Sequence, residues 1–252
     1  MYSDRINILS ESITIAVTTL AQELRAQGKD ILSFSAGEPD FDTPQVIKDS
    51  AIKAINDGFT KYTAVDGIAP LKEAISKKLK RDNNLEYTAN EIIVSNGAKH
   101  SLFNLFQATI QEGDEVIIPA PYWVTYPELV KYSGGSVIEI KTNDISGFKI
   151  TAEQLKNAIT PKTKMLILTT PSNPTGSVYT KEELTALAEV LKGTEILVAS
   201  DEMYEKLIYD GEFTSAAAIS EDMYNRTITI NGLSKSVAMT GWRFGYLASK
   251  DT

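Results

Sequence analysis

Short apolar runs recur along this chain at strand length, and between them stand longer segments whose apolar residues return every three to four positions. That alternation marks βα units on a parallel sheet, because doubly covered strands read as continuous hydrophobic runs while the covering helices are apolar on one stripe only. The runs are E-I-I-V-S (91–95), E-V-I-I-P (115–119), S-V-I-E-I (136–140), K-M-L-I-L-T (164–169), E-I-L-V-A-S (195–200), R-T-I-T-I-N (226–231) and F-G-Y-L-A-S (244–249). Seven such strands predict one wide, mostly parallel sheet in a three-layer α/β/α domain. Helices are expected between them, for example over 101–110 and 180–191, the second opening with Thr180 and Glu183 at capping-box spacing. The first 45 residues break the pattern: an amphipathic helix over about 11–28 precedes I-L-S-F-S-A-G-E-P-D-F, which is rich in turn formers, so this segment is expected in another layer or against a neighbouring subunit.

Composition narrows the partners. The 252 residues are 42% hydrophobic and 23% charged, as in an ordinary globular chain. A formal charge of −8 and a pI near 4.9 oppose a nucleic-acid groove or an anionic membrane surface, so a small-molecule partner is expected, with no nucleic acid and no membrane. The sequence has no cysteine, which removes thiolate chemistry and zinc–thiolate sites, and no metal site is expected. The polar N-terminus and the lack of a long apolar run lead to a cytoplasmic expectation.

The polar punctuation falls at strand ends. N-G-A-K follows 91–95, A-P-Y-W follows 115–119, P-S-N-P-T-G follows 164–169, D-E-M-Y follows 195–200 and G-L-S-K follows 226–231. In open α/β sheets ligands bind outside the carboxyl ends of the strands, so five loops would meet at one crevice. Gly97-Ala98-Lys99 leads into a helix whose free N–H groups could hold a phosphate, with Arg243 adding a bidentate charge. Trp123 could stack on a flat ring, Asp201 could keep a ring nitrogen protonated, and Lys235 could form an imine with an aldehyde. Together these describe pyridoxal 5'-phosphate.

Each piece has a plainer reading by itself. S-N-P-T-G is a common turn, Trp123 a core aromatic, Asp201 a helix N-cap and Lys235 a solvated loop lysine. Lys77, Lys78, Lys80 and Arg81 read as the wet face of a helix, and His100, the one histidine, as a cap or packing residue at a helix start. The plainer readings must all hold together to defeat the combination.

Ordered motifs over nearly the whole length carry a resemblance: S-A-G-E-P-D-F-D-T-P (35–44), K-Y-T-A-V-D-G (61–67), S-N-G-A-K-H-S-L-F-N-L-F-Q-A (95–108), P-Y-W-V-T-Y-P-E (121–128), P-S-N-P-T-G-S-V-Y (171–179), S-D-E-M-Y-E (200–205) and N-G-L-S-K-S-V-A-M-T-G-W-R-F-G-Y (231–246). The chain resembles class I and II aminotransferases of fold type I, most nearly the bacterial aspartate aminotransferase branch. The resemblance implies that Lys235 is the Schiff-base lysine, Asp201 the partner of the pyridine nitrogen, and Asn173 and Tyr204 donors to the ring's phenolic oxygen. It implies Trp123 stacked on the ring, Gly97, Ala98, Lys99 and Ser234 beside the phosphate or the lysine, Arg243 gripping the phosphate, and Gly37 beside the substrate carboxylate. Trp123 and Asn173 thereby also border the substrate. Tyr62 is similar to the tyrosine that reaches the neighbouring subunit's phosphate, which implies a homodimer. Gly232 stands where many members have a serine, which implies one phosphate hydroxyl fewer.

The implied activity is transfer of the amino group of L-aspartate to 2-oxoglutarate, with Lys235 as the base that moves the α-proton, and Lys99 is a candidate for the substrate's distal carboxylate. The implied division is an N-terminal arm and small-domain segment over 1–45 and a cofactor-binding large domain over 46–252. The family's C-terminal small domain, with the arginine that pairs with the substrate α-carboxylate, has no counterpart in these residues, so a fragment of a longer product is expected. Three alternatives stay open at this point: a β-lyase, an aromatic or prephenate aminotransferase, and an inactive cofactor-binding fragment.

Overall fold

The computed structural model of the chain describes residues 3–10, 13–34 and 37–250. The first two positions of the expected 11–28 helix, Ser35 and Ala36 of S-A-G-E-P-D-F, and Asp251 and Thr252 lie outside the described residues. The strands are β1 (Ile92–Asn96), β2 (Glu115–Ala120), β3 (Ser136–Lys141), β4 (Thr163–Thr169), β5 (Leu197–Asp201), β6 (Thr227–Gly232) and β7 (Phe244–Ala248). The helices are α1 (Asp4–Asn7), α2 (Ile13–Ala26), α3 (Gln45–Asn56), α4 (Ala69–Asn83), α5 (Ala98–Thr109), α6 (Thr125–Tyr132), α7 (Ala152–Ala158), α8 (Lys181–Leu191) and α9 (Glu221–Arg226). All seven expected strands are present, their ends shifted by no more than two residues.

The strands form one sheet in the order β1-β7-β6-β5-β4-β2-β3. Strands β2 to β6 run parallel, whereas β7 is antiparallel to both β6 and β1. The chain moves outward from β2 to β3, then returns to β4 on the other side of β2 and continues through β5 to β6. The strand order therefore reverses between β2 and β4, which is where an open α/β sheet leaves its crevice.

Period-two alternation along each buried strand feeds two separate cores. Met165 and Ile167 of β4 pack with Leu102 and Phe106 of α5 and Tyr126 and Val130 of α6. Leu166 and Leu168 pack on the other face with Leu155 of α7 and Leu184, Leu187 and Leu191 of α8. A third cluster joins Ile75 and Leu79 of α4 to Tyr246 and Ala248 of β7. Each fully buried Leu, Ile or Phe contributes about 1.5–3 kcal/mol, so the helices are held on both faces by their apolar stripes, giving the expected three layers.

Local signals fix the helix starts. Thr180 Oγ1 accepts from the Glu183 N–H at 3.2 Å and Glu183 Oε2 accepts from the Thr180 N–H at 2.8 Å, closing the expected capping box. His100 Nδ1 accepts from the Asn96 N–H at 3.1 Å, a local bond at the helix start that fits the capping half of the cap-or-packing reading. The amphipathic helix near the N-terminus is α2, but its apolar Ile13, Ile15, Val17 and Leu20 are exposed and only Ala21 is buried. The basic run on α4 divides: Lys77 and Lys80 lie in solvent, but Lys78 turns inward to the buried Glu205, which corrects the reading of that run as a wet face throughout.

Candidate active site

The parallel strands bring their carboxyl ends to one edge, and that edge collects the polar loops. Gly97 to Lys99 follow β1, Trp123 follows β2, Asn173 follows β4, Asp201 ends β5 with Tyr204 in the next turn, and Ser234 and Lys235 follow β6. Arg243 arrives differently: it precedes β7, and because β7 is antiparallel its starting end lies at the same edge, with Phe244 opposite Asn96 and Gly245 opposite Gly232. Ala98, Lys99, Trp123, Asn173, Asp201, Tyr204, Ser234, Lys235, Arg243 and Gly37 line one cavity of about 590 Å³. A neighbouring opening of about 680 Å³ is bounded by 38–43, 238 and 240–242; its charged side chains among the described residues are the carboxylates Glu38, Asp40 and Asp42, which do not make the mixed donor set of the first.

At one end of the cavity the backbone is shaped around a cation. Gly97 caps α5 at φ +85°, and a Cβ there would sit 2.3 Å from Arg243 Nη2, so glycine is required for the guanidinium to lie against the helix start. Arg243 is itself left-handed at φ +56° and donates from Nη1 to the Thr240 carbonyl at 2.8 Å. Among the described residues Arg243 has no carboxylate partner, and neither do Lys99 and Lys235. Three cations thus face one cavity of a chain whose formal charge is −8, and the free N–H groups of α5 add to the positive potential. Lys99 Nζ stands 4.9 Å from the centre of the Trp123 ring, and loss of water together with the Arg243 charge lowers its pKa.

At the floor the charge is reversed. Asp201 is buried; its Oδ2 accepts from the Tyr126 hydroxyl at 2.7 Å and its Oδ1 from the Met203 N–H at 3.2 Å. Burial raises its pKa and these two donors oppose the rise. Tyr126 is fully buried and also bonded to Thr169 Oγ1 at 2.9 Å, and Trp123 packs edge-on against it with ring centres 5.5 Å apart. Neither Tyr126 nor Thr169 was singled out from the sequence. Tyr126 stands three residues after Trp123 in P-Y-W-V-T-Y, a spacing that places both on one side of the α6 start and could have drawn attention to it.

Lys235 is half-buried between these ends. Its Nζ donates to the Gly37 carbonyl and lies 5.8 Å from the centre of the Tyr204 ring. Burial lowers its pKa, and Glu38 opposes that shift. Asn173 Nδ2 donates to the Tyr204 hydroxyl at 3.4 Å. The segment carrying Gly37 is laid over the lysine loop: Thr240 donates to Glu38, Thr43 Oγ1 to the Ala238 carbonyl at 2.5 Å, and Trp242 Nε1 to Thr43 Oγ1 at 3.0 Å. Gly232 has its own reason for lacking a side chain, since a Cβ there would lie 2.6 Å from the Phe244 carbonyl oxygen. Tyr62 is fully exposed and does not line this cavity.

Comparison with known proteins follows the same outline. The profile of the family described as aminotransferase class I and II matches residues 29–252. An aspartate aminotransferase of Bacillus sp. (strain YM-2) is 55% identical over 249 residues, which is 98% of this chain and 64% of that relative. An aspartate/prephenate aminotransferase of Nitrosomonas europaea is 53% identical over 246 residues, 97% of this chain and 62% of the relative. The solved structure of Thermus thermophilus aspartate aminotransferase with maleate superposes with a TM-score of 0.96 at 46% identity, covering 99% of this chain and 64% of that one. The chain therefore spans less than two thirds of the relatives it matches. With the profile covering most of its length and a sheet whose strand ends deliver the motif residues to one cavity, the chain belongs to the class I and II aminotransferase family.

Proposed function

We propose that this chain carries the cofactor-binding part of an aminotransferase that moves the amino group of L-aspartate to 2-oxoglutarate with pyridoxal 5'-phosphate. The observation that carries the reading is the cavity itself, lined by three cations that lack carboxylate partners among the described residues and by one buried carboxylate at its floor. The residues fit the group: Arg243 and the N-terminus of α5 suit a phosphate dianion, and the buried Asp201 suits a cationic ring nitrogen, which would offset the burial that raises its pKa. Asn173 and Tyr204, bonded to each other in the cavity lining, would donate to a ring oxygen, and Trp123 would offer a face for stacking. When bound, pyridoxal 5'-phosphate supplies an aldehyde that accepts the amino group and a ring that withdraws electrons from the substrate α-carbon.

The chain's own residues then divide the remaining work. Lys235 holds or gives up a proton at Nζ, and its lowered pKa makes the neutral, basic form available nearer neutral pH than for an exposed lysine. Asp201 would pair its charge with a protonated ring nitrogen, and Tyr126 fixes the direction of its carboxylate. Lys99 at the rim is the group we assign to the distal carboxylate of a dicarboxylic substrate. A homodimer belongs to the same proposal; what supports it is that Tyr62 is fully exposed and does not line its own cavity, as expected of a residue serving a neighbouring site.

The test is to incubate the chain with pyridoxal 5'-phosphate, aspartate and 2-oxoglutarate and to measure oxaloacetate and glutamate in equal amounts. Prephenate is offered as an alternative acceptor because of the aspartate/prephenate relatives. Lys235→Ala should abolish turnover while the phosphate end of the cavity remains. Full turnover in that variant sinks the assignment.

A further inference from the structure

The turn after β5 faces two ways. Asp201, Met203 and Tyr204 line the cavity, while Glu202 and Glu205 point to the opposite side and are buried there. Glu205 forms an ion pair with Lys78 and accepts from Asn83 Nδ2 at 2.7 Å, and Lys78 Nζ also donates to Asn83 Oδ1 at 2.8 Å. Both partners, Lys78 and Asn83, belong to the C-terminal turns of α4, which meet the sheet behind the cavity. Lys206, next in the chain, is tied to the same helix end through Asp82 at 3.0 Å. Glu202 is anchored separately, its Oε1 accepting from Ser200 Oγ at 2.9 Å, Ser215 Oγ at 2.7 Å and the Ala216 N–H at 3.2 Å.

Tyr204 stands between these anchors, and its own contacts hold it loosely. Its hydroxyl receives one long hydrogen bond of 3.4 Å, and its ring is 5.8 Å from Lys235 Nζ. Its position therefore depends on the backbone of the turn, which is closed by the Glu205 N–H to the Glu202 carbonyl at 3.1 Å and the Leu207 N–H to the Tyr204 carbonyl at 2.8 Å. A buried ion pair contributes little net stability, because desolvation offsets its attraction, but it fixes geometry where both partners are also hydrogen-bonded.

We propose that Glu205 is a positioning residue for Tyr204, holding the hydroxyl toward the cofactor through its ion pair with Lys78 and its hydrogen bond from Asn83. The proposal rests on the cofactor reading given above. Tyr204→Phe, Glu205→Gln, Lys78→Met and the Tyr204→Phe/Glu205→Gln double variant would be loaded with pyridoxal 5'-phosphate, and the pH midpoint of the cofactor's visible absorbance measured for each. Removing a donor from the ring's phenolic oxygen lets a proton beside it persist to higher pH, so Tyr204→Phe should raise the midpoint by on the order of one pH unit. Glu205→Gln and Lys78→Met should raise it by about half as much, with native circular dichroism retained. In the Tyr204→Phe background Glu205→Gln should add nothing, which a general loosening of the fold would not reproduce. Lys78→Met carries the test if Glu205→Gln does not fold, since Lys78 is only partly buried and Glu205 keeps Asn83. An unmoved midpoint, or an equal shift in the Tyr204→Phe background, overturns the positioning role. Absence of any cofactor band in the parent chain overturns the cofactor reading and, with it, this proposal.

Discussion

Glu202 is the most deeply buried carboxylate of the strand-end turn, and its replacement by glutamine gives a prediction whose sign depends on pH. The side chain is fully buried, and burial pushes its pKa from 4.5 up to about 7; Ser215, Ser200 and the Ala216 N–H oppose the rise, and the Glu205 charge adds to it. Because the folded-state value lies above the unfolded one, the folded chain binds the extra proton between the two, and the contribution to stability is full below pH 4.5 and lost as pH rises toward 7. At about 1.4 kcal/mol per pH unit, the ionised carboxylate destabilises the fold by about 3 kcal/mol at pH 8 and by less than about 1 kcal/mol at pH 5. Glutamine keeps an oxygen for the three donors now on Oε1 and never ionises. Its amide nitrogen replaces Oε2, which has no hydrogen-bond partner among the described residues; it brings two N–H donors where the neutral acid has one O–H, a cost that is the same at every pH. Glu202→Gln should therefore gain about 2–3 kcal/mol on the parent between pH 5 and pH 8, whatever its offset at pH 5. Urea unfolding followed by far-ultraviolet circular dichroism at both pH values reads the difference directly. A gap between variant and parent that is the same at pH 5 and pH 8 would refute the raised titration of Glu202.

Three further outcomes follow from the cavity. Arg243→Gln should weaken pyridoxal 5'-phosphate binding by about 10- to 100-fold, the loss of one or two charge-assisted hydrogen bonds, read by equilibrium titration of Trp fluorescence; an unchanged Kd would remove Arg243 from the phosphate end. Gly97→Ala should weaken the same binding, because the new methyl meets Arg243 Nη2 at 2.3 Å and φ is +85° there; in the Arg243→Gln background the part due to the clash should disappear while the backbone strain remains. Reduction with cyanoborohydride at pH 7 in the presence of pyridoxal 5'-phosphate should label Lys235 ahead of the exposed lysines, since burial lowers its pKa; peptide mapping that finds label spread evenly would contradict the lowered value.

The sheet was readable because its central strands are buried on both faces, and runs such as K-M-L-I-L-T have no competing period. The polar residues after those runs gave five of the loops that reach the cavity, since a parallel strand delivers whatever follows it to one edge. Arg243 needed more. It stands before a strand, and only the antiparallel direction of β7 brings it to that edge; periodicity reports that a strand exists but not which way it runs. Its charge drew attention to the residue, and the pairing of Phe244 with Asn96 supplies the physical reason that it reaches that edge. Contacts made across the sheet were hidden for a related cause. Lys78 and Glu205 are separated by more than a hundred positions, so a basic run on a helix reads as solvated until the element it packs against is known. Tyr126 was silent because one hydroxyl on a core-facing aromatic leaves no trace in hydrophobic pattern, although it donates to the buried Asp201. What the sequence exposed was therefore set by chain direction and period, and what it concealed was the pairing of polar groups inside the layers. The second kind fixes the orientation of Asp201 and Tyr204, and it is the kind that substitutions at Glu202, Glu205 and Lys78 address.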